Sequence, residues 1–158
     1  MKISLAIGLA TTLGTFVLGG GANTAHAENG NHSGTICKNY NAAEVTDIDY
    51  LTNGTRNLNM SPRFVICPLV TAPTPNAKIV YVGGFAASGQ TILCTLYSYD
   101  QVGNFLGGNS FPSAMTGNFY VYLSIPAVSS GASWGTSSVL CVLPPSASGV
   151  IYDVDVVQ

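Results

Sequence analysis

Proline and glycine set the first limit on what this chain can fold into. Prolines stand at 62, 68, 73, 75, 112, 126, 144 and 145, joined by turn signals such as Asn53-Gly54, Gly83-Gly84, Gly103-Asn104 and Gly107-Gly108-Asn109. A proline removes an amide donor and fixes φ, so a helix attempted across it breaks, while glycine makes a positive φ cheap. What remains are short apolar or alternating runs, the pattern of strands. They predict strands over Thr35 to Tyr40, Asp47 to Leu51, Arg63 to Val70, Lys78 to Phe85, Gln90 to Tyr99, Asn118 to Ile125, Val139 to Leu143 and Val150 to Val157. At most one helical turn is expected, over Asn41 to Val45. About eight strands in one unit predict an all-β fold: a single antiparallel β-sandwich of jelly-roll or immunoglobulin-like kind. An immunoglobulin domain proper would carry a tryptophan on a strand between its paired cysteines, whereas Trp134 closely precedes Cys141 inside a Gly/Ser stretch.

Residues 1–27 read as an export signal. Met1-Lys2 gives a positive start, Ile3 to Leu18 is an apolar stretch too short to span a bilayer, and Ala25-His26-Ala27 offers small residues where a signal peptidase reads. Cleavage is expected after Ala27, leaving a polar, flexible leader over 28–34 and one domain over 35–158, secreted or periplasmic, with no transmembrane segment. The cysteines agree with export. All four (Cys37, Cys67, Cys94, Cys141) follow the signal, and an even number in an exported chain reads as disulfides. Of the three pairings, Cys37 with Cys67 and Cys94 with Cys141 is favoured. The second pair lies in near-identical settings, Ile92-Leu93-Cys94-Thr95-Leu96 and Val139-Leu140-Cys141-Val142-Leu143, as on two strands with like faces.

Alternation also predicts the core. Phe119, Val121, Leu123 and Ile125 share one face with Tyr120 and Tyr122 on the other, and Ile79, Val80, Tyr81 and Val82 make a strand apolar on both sides.

The stretch Cys37 to Leu69 (CKNYNAAEVTDIDYLTNGTRNLNMSPRFVICPL), the pieces Leu93-Cys94-Thr95, Tyr97-Ser98-Tyr99-Asp100 and Val139-Leu140-Cys141, and the closing Gly149-Val150-Ile151-Tyr152 occur here in order. In these the chain resembles a group of small secreted bacterial proteins, proteobacterial in type, with four cysteines and no assigned function. The resemblance implies an exported bacterial β protein and carries over no catalytic residue.

Charge narrows the function. Five Lys and Arg and seven Asp and Glu make 8% of the chain, against about 25% in a typical soluble domain. A phosphate-neutralising surface needs clustered basic residues, so nucleic acid is not an expected partner. A Ser-His-Asp or Cys-His site needs a base, and past the signal the only histidine is His32, in the leader. Zinc is disfavoured for the same reason and because no CxxC is present. Glycosidase-like carboxylate pairs exist among Glu44, Asp47, Asp49, Asp100, Asp153 and Asp155, with nothing to single one out.

Asp47-Ile48-Asp49 and Asp153-Val154-Asp155 each put two carboxylates on one strand face, and two such faces meeting would collect oxygen ligands for Ca²⁺. No Gly-punctuated calcium loop accompanies either pair, so solvated strand faces with Ile48 and Val154 pointing inward are the preferred reading, and no metal or other cofactor is expected. Tyr97, Tyr99, Tyr120, Tyr122 and Trp134 are candidates for a platform on which sugar rings stack, although tyrosine is also ordinary on half-buried sheet faces. Arg56 and Arg63, which flank Asn57 to Pro62, are expected to pair with carboxylates or carbonyls at a corner of the sandwich. Sequons at Asn31, Asn53 and Asn59 are incidental in a bacterial chain. The expectation is therefore a secreted, non-catalytic binding or structural module of the bacterial envelope or exterior. A carbohydrate-binding module is the first alternative and a calcium-dependent adhesin or enzyme fragment the second; the partner is not named by the sequence, with a glycan or self-association as the candidates.

Overall fold

The computed structural model describes residues 30–69, 78–111, 115–125 and 135–157. The expected signal peptide and Trp134 lie outside these described residues. Eleven strands are present among them: β1 (Gly30–Ser33), β2 (Lys38–Asn39), β3 (Ile48–Leu51), β4 (Gly54–Asn57), β5 (Arg63–Leu69), β6 (Lys78–Ala86), β7 (Leu93–Tyr99), β8 (Phe105–Ser110), β9 (Gly117–Ile125), β10 (Thr136–Leu143) and β11 (Gly149–Val157). Two short 3₁₀ helices, Gly34–Ile36 and Ala42–Asp47, are the only helical pieces of the described chain. The second begins where a helical turn was expected, capped by the Asn41 side chain, which accepts from the Ala43 amide.

The strands form two antiparallel sheets. One runs β3-β4-β11-β6-β9, with β1 pairing β11 where β4 has ended; the other runs β2-β5-β10-β7-β8. From β4 to β7, and again from β9 to β11, successive strands change sheets. The body of the sandwich is thus β4-β11-β6-β9 facing β5-β10-β7-β8, the interleaved order of a jelly roll, which decides between the two sandwich types expected.

Inward faces meet as the alternation predicts. Val80 and Val82 of β6, Val154 and Val156 of β11, Val65 and Cys67 of β5, and Val139 and Cys141 of β10 are fully or almost fully buried, with Phe119, Val121 and Leu123 of β9 packed against them. Both disulfides have the expected pairing, Cys37–Cys67 and Cys94–Cys141. Cys94 and Cys141 are direct partners in the β7–β10 ladder, both facing the core. Bonds of this kind form in oxidising surroundings. No helix of the described residues is long and apolar enough to cross a membrane.

Four stretches depart from the sequence reading. Gly30–Ser33, expected as part of a flexible leader, is β1: it pairs with Asp153 to Val156 because β11 runs on past the end of β4 with its edge groups still unpaired. Gly54–Asn57, for which only the turn signal Asn53-Gly54 is read from the sequence, forms β4. Gly54 is required there, since a Cβ would stand 2.3 Å from the Ile151 carbonyl oxygen, and Thr55 is fully buried, its hydroxyl donating to the Gly34 carbonyl at 2.7 Å. Phe105–Ser110, whose glycines read as turn punctuation, is the edge strand β8. The strand expected over Thr35 to Tyr40 shrinks to a 3₁₀ turn and the two-residue β2.

Candidate functional site

The outer face of the β1-β11-β6-β9 region brings three tyrosines and two aspartates together. Register places Asn31, Asp155, Tyr81 and Tyr122 in one row across four strands, and Ser33, Asp153, Gly83 and Tyr120 in the next. A β-bulge makes this possible. Ile151 pairs with Gly84 and Asp153 with Gly83, leaving Tyr152 as the extra residue of β11. Strict alternation would put Asp153 on the same side as Ile151; the bulge reverses the phase, so Ile151, Val154 and Val156 all enter the core while Asp153 and Asp155 face outward. Gly83 supplies the room, because a Cβ there would overlap the Asp153 carboxylate, 2.0 Å from Oδ1.

The tyrosines stand side by side. Tyr81 and Tyr120 are stacked with ring centroids 5.1 Å apart and planes 16° from parallel, and Tyr122 leans on Tyr81 at 5.6 Å. Tyr81 is half-buried, whereas Tyr120 and Tyr122 are 56% and 60% exposed. Tyr120 is fixed by its hydroxyl, which donates to Asp155 Oδ2 at 2.6 Å. That hydrogen bond, with burial and the negative charge of Asp155 and Asp153 behind it, raises the phenol far above its ordinary range and keeps it protonated.

Asp153 is pushed up from its ordinary 3.8, first by burial and then by the charge of Asp155, with the Gly83 amide opposing both. A carboxyl whose folded pKa is raised keeps its proton more readily when folded, so its ionisation weakens the fold as pH rises through the shifted value. Asp153→Asn is therefore expected to raise the thermal midpoint at about pH 7 and to leave it unchanged at about pH 3, where both forms are neutral. The same midpoint for parent and variant at about pH 7 would show that the carboxylate carries no such strain.

The other candidates are dispersed. Asp49 is bound by Arg56 at 2.8 Å, and Asp47 by Arg63 at 2.7 Å with Glu44 at 3.8 Å, so both arginines do pair with carboxylates at the corner. Ile48 and Val154 point inward as expected, but Asp155 is 9% exposed and not a solvated position. The two D-x-D pairs do not meet: β4 separates β3 from β11, and no three His, Cys, Asp or Glu side chains gather anywhere among the described residues. Tyr97 and Tyr99 lie on β7 in the other sheet, against Phe105 at 6.3 and 5.8 Å. The expected tyrosine set is thus divided between two sheets, and its place beside Tyr120 and Tyr122 is taken by Tyr81. The sequence showed Tyr81 only as one apolar side of a two-sided strand.

No protein-family model and no curated protein sequence matches the chain. Solved structures do. A bacteriophage CBA120 tailspike protein, in its enzymatically active domain, is matched over 65% of this chain with 12% identity and a TM-score of 0.45; the chain spans 15% of that protein's length. A carbohydrate-binding module of family 61, solved with β-1,4-galactotriose, matches over 85% of this chain and 89% of its own with 9% identity and a TM-score of 0.48. The xylan-binding module CBM15 matches over 84% of this chain and 97% of its own, with 6% identity and a TM-score of 0.53. At that identity the likeness to CBM15 shows a shared fold, that of a small two-sheet β-sandwich built as one module.

Proposed function

We propose that this chain is an exported, non-catalytic carbohydrate-binding module whose site is the outer face formed by Tyr81, Tyr120 and Tyr122 with Asp153 and Asp155. The observation that carries this reading is the three-tyrosine row itself. Two of its rings are more than half exposed, and one is held in place by a hydrogen bond to a buried carboxylate. Pyranose rings present C–H faces that stack on such aromatics, while their hydroxyls donate to carboxylates and to side chains such as Asn31 and Ser33 at the margin. The fold shared with a xylan-binding module agrees with it. A non-catalytic role fits a chain in which Glu44, Asp47 and Asp49 are held in ion pairs, Asp100 is occupied in a turn, and Tyr120 of this face is locked in its protonated form.

Tyr122→Ala removes an exposed ring that holds nothing in the core, so the fold is expected to survive. Affinity for a bound glycan should fall by roughly tenfold or more, the value of one stacking ring. A glycan array followed by titration calorimetry checks this; no bound sugar on the array, or unchanged affinity in the variant, defeats the reading.

A further inference from the structure

Asp153 and Asp155 differ from the other described acidic residues in combining a buried, unpartnered carboxylate oxygen with the lack of any ion pair. Glu44, Asp47 and Asp49 are paired with Arg63 and Arg56, and Asp100 caps a turn, accepting from the Val102 and Asn104 amides and from Asn104 Nδ2. In Asp153 and Asp155, by contrast, each Oδ1 is buried and has no hydrogen-bond partner, and no ion pair reaches either side chain among the described residues. Asp155 is nine-tenths buried, so this is not the ordinary case of a surface carboxylate answered by water. The two sit beside a row of tyrosines, whose ring faces also attract positive charge.

A cation delivered by a ligand would answer both features together. Ca²⁺ wants six to eight oxygen ligands, and no cluster of even three acidic or metal-ligating side chains exists among the described residues. An organic ammonium asks for less: two or three acceptors, and aromatic surface against the carbon that bears it.

We propose that this face takes a cationic glycan, a sugar chain bearing free amino groups, with its ammonium held by Asp153 and Asp155 and its rings on Tyr120 and Tyr122. This rests on the glycan-binding reading above and names the class of sugar. Uronate-bearing chains would be repelled by the same carboxylates.

Three oligosaccharides of one β-1,4 linkage isolate the charge: oligomers of glucose, of glucosamine and of N-acetylglucosamine, titrated against the disulfide-bonded protein at mildly acidic pH and physiological salt. The glucosamine oligomer is expected to bind roughly tenfold tighter than the other two, the value of a charge-assisted contact with a cation–π contribution. Asp153→Asn, which should fold at least as well as the parent, is expected to bring that ratio close to unity, with Asp155→Asn as the second variant. Binding of the neutral oligomers with no preference for the cationic one overturns this inference and leaves the glycan reading standing. A preference that survives both variants also overturns it, since the attraction would then come from the chain's overall negative charge. If no sugar binds, both readings fall. A thermal midpoint raised by Ca²⁺ alone, and only with Asp153 intact, would reassign the carboxylates to a metal and overturn it as well.

Discussion

Replacing Cys94 and Cys141 together by alanine is expected to lower the unfolding free energy by about 4 kcal/mol, the entropy that closing a loop of this size removes from the unfolded chain. The bond spans 47 residues and joins β7 to β10, two strands with no hairpin between them, so nothing else ties these segments together before they fold. Most single domains are stable by only about 5–15 kcal/mol, and the loss would bring the double variant near the edge of folding at 37 °C. Both sulfurs also fill space in the core, because Cys94 and Cys141 are 3% and 0% exposed, and the cavity adds to the loss. Urea denaturation of parent and variant, read by fluorescence and circular dichroism, measures the difference. A change below about 1 kcal/mol would mean that the unfolded chain is already confined without the crosslink.

The second large effect is expected at Asn57, the last residue of β4. Its side chain is fully buried, with Nδ2 donating to the carbonyls of Ser61 at 2.8 Å, Pro144 at 3.1 Å and Leu143 at 3.4 Å, while Oδ1 accepts from the Asn59 amide at 2.8 Å. Its carbonyl takes the Ala147 amide at 2.7 Å, so one residue ties the β4–β5 corner to the β10–β11 turn at the same end of the sandwich. Asn57→Ala leaves buried carbonyls and one amide without partners, and is expected to cost about 3 kcal/mol. Asn57→Asp should cost more, although it is nearly isosteric, because it replaces the donor by an acceptor facing three carbonyl oxygens. Equal stabilities of the two variants would show that packing, and not the donor, is what the corner requires. The same urea series checks this, with amide exchange at Ala147 reporting on the corner itself.

The Arg56 to Arg63 segment shows how far local signals reach. A corner of the sandwich flanked by two paired arginines is legible because charged residues beside a Pro-containing turn have few other uses in so uncharged a chain. Asn57 is not legible in the same way: an asparagine in a turn-rich stretch looks like turn chemistry, and its burial depends on a loop that arrives from residues 143–147. Strands β1, β4 and β8 fail for a related reason. Their residues, GNHS, GTRN and FLGGNS, have no apolar alternation of their own, and each is extended because a neighbouring strand offers it a ladder.

The candidate site divides in the same way. The face on which each tyrosine stands follows from the period of two along a strand, which is why Tyr120 and Tyr122 were placed opposite Phe119, Val121 and Leu123 correctly. Which tyrosines would be neighbours does not follow, because lateral order in a jelly roll is set by how strands from distant parts of the chain interleave. Tyr97 and Tyr99 went to the other sheet, and Tyr81 came to stand against Tyr120.

The sequence by itself determined the strand-rich class, the disulfide pairing and the inward set of most strands, since each depends on residues close together or on matching local settings. Only the tertiary structure decided the site. The bulge at Tyr152 let Ile151 enter the core with Val154 and Val156 while Asp153 stayed outward, Gly83 made space for it, and the strand order laid the two carboxylates beside three tyrosines. Scarce charge leaves the pair without a counter-ion among the described residues. That is a property of what packs beside it in space, which no window along the chain contains.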